Sequence, residues 1–292
     1  MDNGSGGVPM TKPQPESGAP TYGAGSMDYQ NYLKVNELLA LQEPRSKPPH
    51  HDEMLFIVIH QAYELWFKLL IHEIENTIQY LGQGNLARAR HFSARIVDVF
   101  KLLIRQIHLL ETMQPVEFLH FRDHLKPASG FQSVQFREIE FLLGMKNGAY
   151  LKFFDAAPVS KAQLAKRIEM PDLGDAFLAA MMGRGIKFAK EDLALARESP
   201  DAIGRIANAL LPIYEKPESD FTLYQLCEKL LEIDATFHLW RHHHVSVVER
   251  IIGSKIGTGG SSGVPYLKTT VTKRAFPYLW EIRTLLELPR TG

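Results

Sequence analysis

A histidine within an apolar helical face carries the clearest chemical signal in this chain. Apolar residues recur at intervals of three and four over 226–251, which predicts a helix with one apolar stripe. His244 falls within that stripe, whereas His242 and His243 point elsewhere at roughly 100° per residue. An imidazole among apolar side chains can bind a metal or a haem iron. The alternative, which spacing alone favours, is a core histidine held by a hydrogen bond.

A glycine- and serine-rich segment, Gly257–Gly263, follows this helix. The free backbone N–H groups of such a loop can bind an anion, and Thr258 would add a hydroxyl. The segment lacks both the Walker lysine and the G-x-G-x-x-G spacing, so the sequence does not predict a nucleotide site. A flexible link is the other interpretation. Together, the histidine and the loop suggest a buried cofactor beside a small polar substrate.

Two further polar side chains lie among aromatic residues. His60 shares a helical face with Phe56 and Glu64, where an imidazole could serve as a distal or acid–base group. Arg122 follows a phenylalanine, and a guanidinium beside aromatic rings suits bidentate binding of a carboxylate. The alternatives are structural: a contact between His60 and Glu64, and a salt bridge to an acid near Arg122. Segment 54–59 is apolar all round, so we expect it to be buried.

Two histidine pairs have the helical spacing of zinc ligands. His238 and His242 are four residues apart, as are His120 and His124, but neither interval holds the glutamate of H-E-x-x-H. Glu117 and His120 form one Glu-x-x-His motif, and a di-iron bundle needs two. The sequence therefore gives little support to a zinc or di-iron centre.

The elements that must position these residues are helices. Long helical patterns cover 53–81 and 221–252, and two-residue alternation is nearly absent. We therefore predict an all-α, bundle-like single domain over residues 28–292, with a cofactor in its core. Proline and glycine interrupt 155–219, which predicts a small helical insert. Residues 1–27 are rich in glycine, proline and serine, which predicts a disordered N-terminal tail.

Composition excludes several classes of protein. The 292 residues are 45% hydrophobic, enough for a sizeable core, and 33 basic side chains balance 33 acidic ones. Balanced charge gives no reason to expect a nucleic acid or an anionic membrane as partner. The single cysteine permits no intrachain disulfide and favours a reducing compartment. No uninterrupted apolar run approaches the roughly 18 residues that span a bilayer, so we expect a cytoplasmic protein.

Several of these segments, taken in order, resemble the tryptophan 2,3-dioxygenase family of haem enzymes. Together with the closing helix they extend from about residue 29 to 288, which is almost the whole folded chain. An ordered set of segments is far more specific than any one motif. The matching segments are 29–33, 50–56, 60–66, 121–122, 127–133, 240–244 and 257–263.

The resemblance implies a fold, an assembly and a reaction. The expected fold is all-α, and the expected assembly is a homotetramer with one haem b in each subunit. The expected substrates are L-tryptophan and O₂. The iron would carry dioxygen, the indole C2–C3 bond would be cleaved, and both oxygen atoms would enter N-formylkynurenine, as in tryptophan catabolism through the kynurenine pathway.

The resemblance also assigns roles to residues. His244 matches the axial ligand of the haem iron, and His60 matches the distal catalytic histidine that meets the indole N–H. Arg122 matches the residue that pairs with the substrate carboxylate, and Thr258 matches one that contacts the amino-acid end. Tyr29 matches a tyrosine that reaches into a neighbouring subunit's site. The remaining expected residues are Phe56 and Ser129 in the substrate pocket and Gly257 and Gly259 at the cofactor.

Three positions depart from common family residues, namely Gln30, Ile59 and Phe118. They leave open a monooxygenating relative that converts tryptophan, or a substituted tryptophan such as the β-methyl compound, to an oxindole. A haem sensor without turnover is a third hypothesis. Arg122 and Thr258 argue against the sensor, because a sensor needs no residue that binds a carboxylate.

Overall fold

The computed structural model describes residues 27–259 and 262–287. It is 75% helical, with no strand among the described residues, which confirms the all-α prediction. The α-helices are α1 Tyr29–Leu33, α2 Val35–Leu39, α3 His51–Gly82, α4 Leu86–Ile107, α5 Pro115–Arg122, α6 Val134–Leu142, α7 Pro158–Glu169, α8 Leu173–Gly183, α9 Lys190–Ala194, α10 Pro200–Glu215, α11 Phe221–Ile252, α12 Val264–Lys268 and α13 Pro277–Leu285. Short 3₁₀ helices cover His108–Thr112, Asp123–Leu125, Gly130–Gln132, Gly148–Phe154 and Pro217–Asp220.

The chain divides into two compact units, residues 1–43 and 44–292. In the first unit, α1 and α2 are separated by Lys34, whose φ of 54° lies in the left-handed region. Neither helix contains a buried residue. The predicted disordered tail, residues 1–27, lies outside the described residues except for Met27.

The core of the second unit is built around α4, which packs against both α3 and α11. The Asn85 side chain caps α4 by accepting a hydrogen bond from the Arg88 N–H (3.2 Å). Ile96, Phe100 and Leu103 recur at helical spacing and are fully buried on one face. Burial of each such side chain contributes roughly 1.5–3 kcal/mol, so α4 is held mainly by packing.

Helix α11 has the bounds that the sequence predicts, Phe221–Ile252. It begins where the Asp220 carboxylate accepts a hydrogen bond from the Leu223 N–H (3.0 Å). It ends at Gly253, where a φ of 59° turns the chain into the glycine-rich loop. The sequence therefore fixes both ends of the helix that carries His244.

Helix α3 is less buried at its start than its sequence predicts. Met54 and Val58 are 43% and 44% exposed, whereas Ile59 is buried. Within one chain, the prediction that segment 54–59 is buried is therefore wrong. These apolar side chains divide between the interior and the outer surface of the second unit. In length and mean hydropathy α3 could cross a membrane, a test that core helices of water-soluble proteins also pass. Its buried Glu73 forms an ion pair with Arg95 of α4 (2.6 Å), which favours a core helix.

The segment 155–219 contains α7 to α10 and packs onto the rest of the second unit. Helix α8 contacts α3, and α10 contacts α13. Arg197 links this segment to the C-terminal region, because it donates to the Asp172 carboxylate (2.5 Å) and to the carbonyl of Ala275 (3.1 Å). Its guanidinium lies against Gly174, where an added Cβ would be 2.3 Å from Nη2.

Candidate functional site

A cavity of about 300 Å³ lies in the second unit among α3, α5, α6, α11 and the loop after α11. That volume is at the lower end of the range for small-molecule sites. Its wall is mainly apolar and aromatic, with a few polar groups. It brings together most of the predicted site residues, namely Phe56, His60, Arg122, Ser129, His244, Gly257 and Thr258.

His244 faces this cavity from α11. Its ring lies parallel to that of Trp240, with centroids 5.1 Å apart and planes at 10°. Its ring nitrogens form no hydrogen bond with any residue in the described ranges, so the structure does not support a hydrogen-bonded core histidine. Burial lowers the pKa of His244 to about 4, and the charges of His60 and Arg137 lower it further in the same direction. At neutral pH the imidazole is therefore uncharged and offers a lone pair, as a metal ligand requires.

His60 faces the same cavity from α3. Its Nδ1 lies 2.7 Å from the carbonyl oxygen of Phe56. A carbonyl can only accept, so Nδ1 carries the proton and Nε2 of the neutral ring is an acceptor. Burial lowers the pKa of His60, although the Phe56 carbonyl and the charge of Glu64 oppose that shift. Glu64 makes its hydrogen bond to Gln135 (2.8 Å) rather than to His60.

Arg122 ends α5 at the rim of the cavity. Its Nη2 donates to the carbonyl of Ile256 in the glycine-rich loop. The adjacent Asp123 pairs with Lys126 (2.7 Å), so the expected salt bridge to a neighbouring acid does not occupy the guanidinium. Arg122 is thus held in place by a neutral acceptor and has no carboxylate partner among the described residues.

The glycine-rich loop closes against the turn that follows α5. Thr258 Oγ1 donates to the carbonyl of Ala128 (2.6 Å). A Cβ on Gly259 would lie 2.6 Å from the Cβ of Ser129, so this approach requires glycine. Gly257 and Thr258 both line the cavity. The loop predicted to bind an anion is therefore next to Arg122, at the mouth of the cavity that holds both histidines.

Two buried arginines in the cavity wall were missed by the sequence analysis. Arg137 and Arg241 are 5% and 3% exposed, and both pair with Glu140, at 2.5 Å and 2.8 Å. Two guanidinium groups against one carboxylate leave an excess positive charge. The Nε of each arginine is buried and has no hydrogen-bond partner among the residues that the structure describes. Helical spacing held a signal, because Arg241 lies three residues before His244 and therefore near the same face.

Tyr29, also predicted as a site residue, belongs to the first unit. It lies on α1 with 72% of its side chain exposed. Asp28 caps that helix by accepting a hydrogen bond from the Asn31 N–H (2.7 Å), which fixes the start of α1 at Tyr29.

Comparison with known proteins identifies the family. The sequence model of tryptophan 2,3-dioxygenase matches residues 15–181 and 202–286. A relative from Herpetosiphon aurantiacus, named tryptophan 2,3-dioxygenase, is 44% identical over 259 residues, which is 88% of this chain and 98% of the relative. A relative of the same name from Myxococcus xanthus is 41% identical over 282 residues, covering 96% of this chain and 97% of its own. This chain belongs to the tryptophan 2,3-dioxygenase family.

The tryptophan 2,3-dioxygenase family is haem-dependent. A haem needs an axial ligand for iron, apolar walls for a flat ring and partners for two carboxylates. His244 offers an unpartnered neutral imidazole, and Phe56 and Trp240 contribute aromatic wall. Arg137 and Arg241 offer buried N–H groups without partners and an excess positive charge. The residues of this cavity therefore fit the family's cofactor.

Proposed function

We propose that this chain is a haem b-dependent dioxygenase that cleaves the indole C2–C3 bond of L-tryptophan with O₂, giving N-formylkynurenine. One observation carries the proposal: an unpartnered neutral histidine and an arginine beside a glycine-rich loop face one apolar cavity. The first suits an axial iron ligand and the second suits the carboxylate of an amino acid. The family match supports this combination of roles.

In this proposal His244 would hold the haem iron through a ring nitrogen. Its low pKa keeps the lone pair of the ring available for iron throughout the neutral range. Arg137 and Arg241 would offer N–H donors to the carboxylates of the cofactor, and Gly257 and Gly259 would let the loop backbone approach it. The haem, when bound, supplies the iron at which O₂ is carried and activated.

Arg122 and Thr258 bind the amino-acid end of the substrate. Both donate to backbone carbonyls in this structure, and a substrate carboxylate is a stronger acceptor for a guanidinium than a carbonyl is. Exchange of these neutral acceptors for the carboxylate fixes one end of the substrate. Phe56 and Ser129 line the pocket for the other end. A substrate held at both ends presents its C2–C3 bond in a constant position, which is a proximity effect.

His60 orients the indole. Because its Nδ1–H is committed to the Phe56 carbonyl, Nε2 is available to accept a hydrogen bond from the indole N–H. The lowered pKa of His60 keeps the ring neutral at pH 7, which preserves that acceptor. A protonated His60 would present two donors and lose this contact.

We also propose a cytoplasmic homotetramer in which Tyr29 reaches a neighbouring subunit's site. Exposed apolar side chains on α1, α2 and the start of α3 support contact with further copies of the chain. The largest exposed fractions among them belong to Tyr29, Tyr32, Leu33, Leu39 and Val58. The balanced net charge gives no support to a nucleic acid or a membrane as partner.

An isotope experiment tests the reaction. The haem-loaded, reduced protein is mixed with L-tryptophan and ¹⁸O₂, and the product is analysed by mass spectrometry. We expect two labelled oxygen atoms in N-formylkynurenine. One labelled atom in an oxindole would identify the monooxygenating relative instead. Haem binding without product from L-tryptophan or β-methyltryptophan would favour the sensor.

A further inference from the structure

The ring of His244 is oriented by an aromatic neighbour. Metal-binding histidines usually donate their second ring N–H to a carboxylate, a carbonyl or water, which fixes the ring's rotation. Within the described part of the chain, His244 has no such partner. Its ring instead lies flat against the indole of Trp240, one turn earlier on α11, with the planes at 10°. That stacking is the contact that defines the ring plane of His244.

Trp240 is itself held by a chain of hydrogen bonds across three helices. Its indole N–H donates to the Tyr63 hydroxyl of α3 (3.3 Å), and that hydroxyl donates to the carbonyl of Leu103 in α4 (2.6 Å). Burial raises the pKa of Tyr63 above its ordinary value, so its O–H remains a donor at neutral pH. Trp240 is only 4% exposed, and Phe237 stacks near it with the planes at 13°. The indole therefore has little freedom to rotate.

We propose that Tyr63 and Trp240 are positioning residues for the axial ligand of the haem iron. The Tyr63 hydroxyl sets the plane of the Trp240 indole, and the indole sets the plane of the His244 imidazole, which directs its coordinating nitrogen into the cavity. This inference rests on the proposed role of His244. It adds that the Tyr63 hydroxyl on α3 influences the iron–histidine bond although it contacts neither atom of that bond.

Three substitutions separate stacking from simple filling of space. Trp240→Leu removes the aromatic face, Trp240→Phe keeps a face but removes the N–H, and Tyr63→Phe removes one oxygen atom. The matched control is Phe100→Leu. Phe100 is as deeply buried in the same core and packs on Phe237, with no ring contact to Trp240 or His244 in the described structure. It reports the effect of losing aromatic volume alone.

The ferrous holoenzymes are compared by the iron–histidine stretching band in resonance Raman spectra and by the rate of haem transfer to apomyoglobin. We expect Trp240→Leu to shift the band and to accelerate haem loss by about tenfold or more, as for other residues that orient metal ligands. Trp240→Phe keeps an aromatic face but loses the hydrogen bond to Tyr63, so it should shift the band less than Trp240→Leu does. Tyr63→Phe, which breaks the same hydrogen bond, should shift the band in the same direction. Phe100→Leu should leave the band unchanged.

Two outcomes would overturn the proposal. One is a wild-type band and wild-type haem loss in both Trp240→Leu and Tyr63→Phe. The other is an equal shift in Phe100→Leu, which would mean that any loosening of the core moves the ligand. If Trp240→Leu does not fold, Tyr63→Phe carries the test, because it deletes a single buried oxygen.

A measurement without haem separates this proposal from the proposed function. In the haem-free protein with labelled histidine, the face of Trp240 should shift the carbon-bound ring protons of His244 upfield. The signal is assigned by its absence in His244→Gln. A wild-type protein that takes up no haem would refute the axial role, whereas an unshifted His244 signal would refute the stacking. Loss of the upfield shift in Trp240→Leu, with its retention in Phe100→Leu, is the expected result.

Discussion

Burial keeps the rings of His60 and His244 uncharged at neutral pH, a property that residue type alone does not specify. Both rings face one cavity, desolvation lowers the pKa of each, and a proton on His60 would further lower the pKa of His244. At pH 7 the cavity is therefore lined by two neutral imidazoles. The ring of His244 has a free lone pair, and the Nδ1–H of His60 donates to the carbonyl of Phe56. The proposed ligand and orienting roles both depend on that neutrality.

The haem-free protein should lose stability in acid because of His244. The unfolded chain protonates this histidine near its ordinary pKa of 6.5, whereas the folded protein holds it neutral down to about pH 4. The unfolded state therefore binds more protons in this window, so stability is present above pH 6.5 and falls as the pH falls towards 4. Between pH 7 and pH 5 this one group should cost about 2 kcal/mol of unfolding free energy.

Denaturant unfolding of the haem-free wild type and of His244→Gln at both pH values measures this contribution. The glutamine variant should show a pH dependence smaller by that amount. An equal pH dependence in the two proteins would mean that His244 is not held neutral by burial.

Arg122 should distinguish substrates that have a carboxylate from those that lack one. We expect Arg122→Leu to weaken L-tryptophan binding by about 1.5–3 kcal/mol, the usual worth of a hydrogen bond to a charged group. Binding of tryptamine, which has no carboxylate, should change little. Calorimetric titration of both ligands gives the comparison, and Arg105→Leu, at an exposed position of α4, is the control. Equal losses for both ligands would show that Arg122 holds the pocket rather than the carboxylate.

At the scale of elements, periodicity predicted the buried face of α11, but it did not predict the exposed residues at the start of α3 or where helices meet. The bounds of α11 and the position of His244 on its apolar face follow from spacing and from Gly253. The pairing of Arg137 with Arg241 through Glu140 joins α6 to α11, and no pattern within one helix encodes that contact. The resemblance to the family supplied the predicted site residues. It assigned no role to Arg137 or Arg241, so neither was predicted as a site residue.

Two glycines, one in α8 and one in α10, should respond oppositely to alanine. In α8, a Cβ on Gly174 would lie 2.3 Å from Nη2 of Arg197 and displace that guanidinium from the buried Asp172 carboxylate. Gly174→Ala should therefore lower the unfolding free energy by about 1–3 kcal/mol. In α10, a Cβ on Gly204 meets nothing within 4 Å, so Gly204→Ala should raise it by about 0.5–1 kcal/mol. Denaturant unfolding of both variants measures the two changes in unfolding free energy. If both substitutions stabilise the protein, the Arg197 side chain can move away from the added Cβ without loss of stability.

At the scale of the whole molecule, the described part of the first unit has no buried core that would stabilise it alone. Its described part, residues 27–43, has no buried side chain, and its two helices have five residues each. Helices of that length are not stable alone in water, so this unit needs a further surface to cover its apolar side chains. The proposed homotetramer supplies one. No single-chain pattern could have predicted which copy provides that surface.

Mixed oligomers should show that the N-terminal unit serves a neighbouring subunit. One variant lacks residues 1–43 but keeps an intact cavity, and the other keeps its N-terminal unit but carries Arg122→Leu. Each should be weakly active alone, because one lacks Tyr29 and the other lacks the carboxylate-binding residue. Oligomers formed by coexpression and isolated through tags on both variants should regain activity, since the intact N-terminal unit of one chain can complete the intact cavity of the other. The control adds Tyr29→Ala to the Arg122→Leu chain and should abolish the gain. Doubly tagged oligomers without recovered activity would place the action of Tyr29 within its own chain.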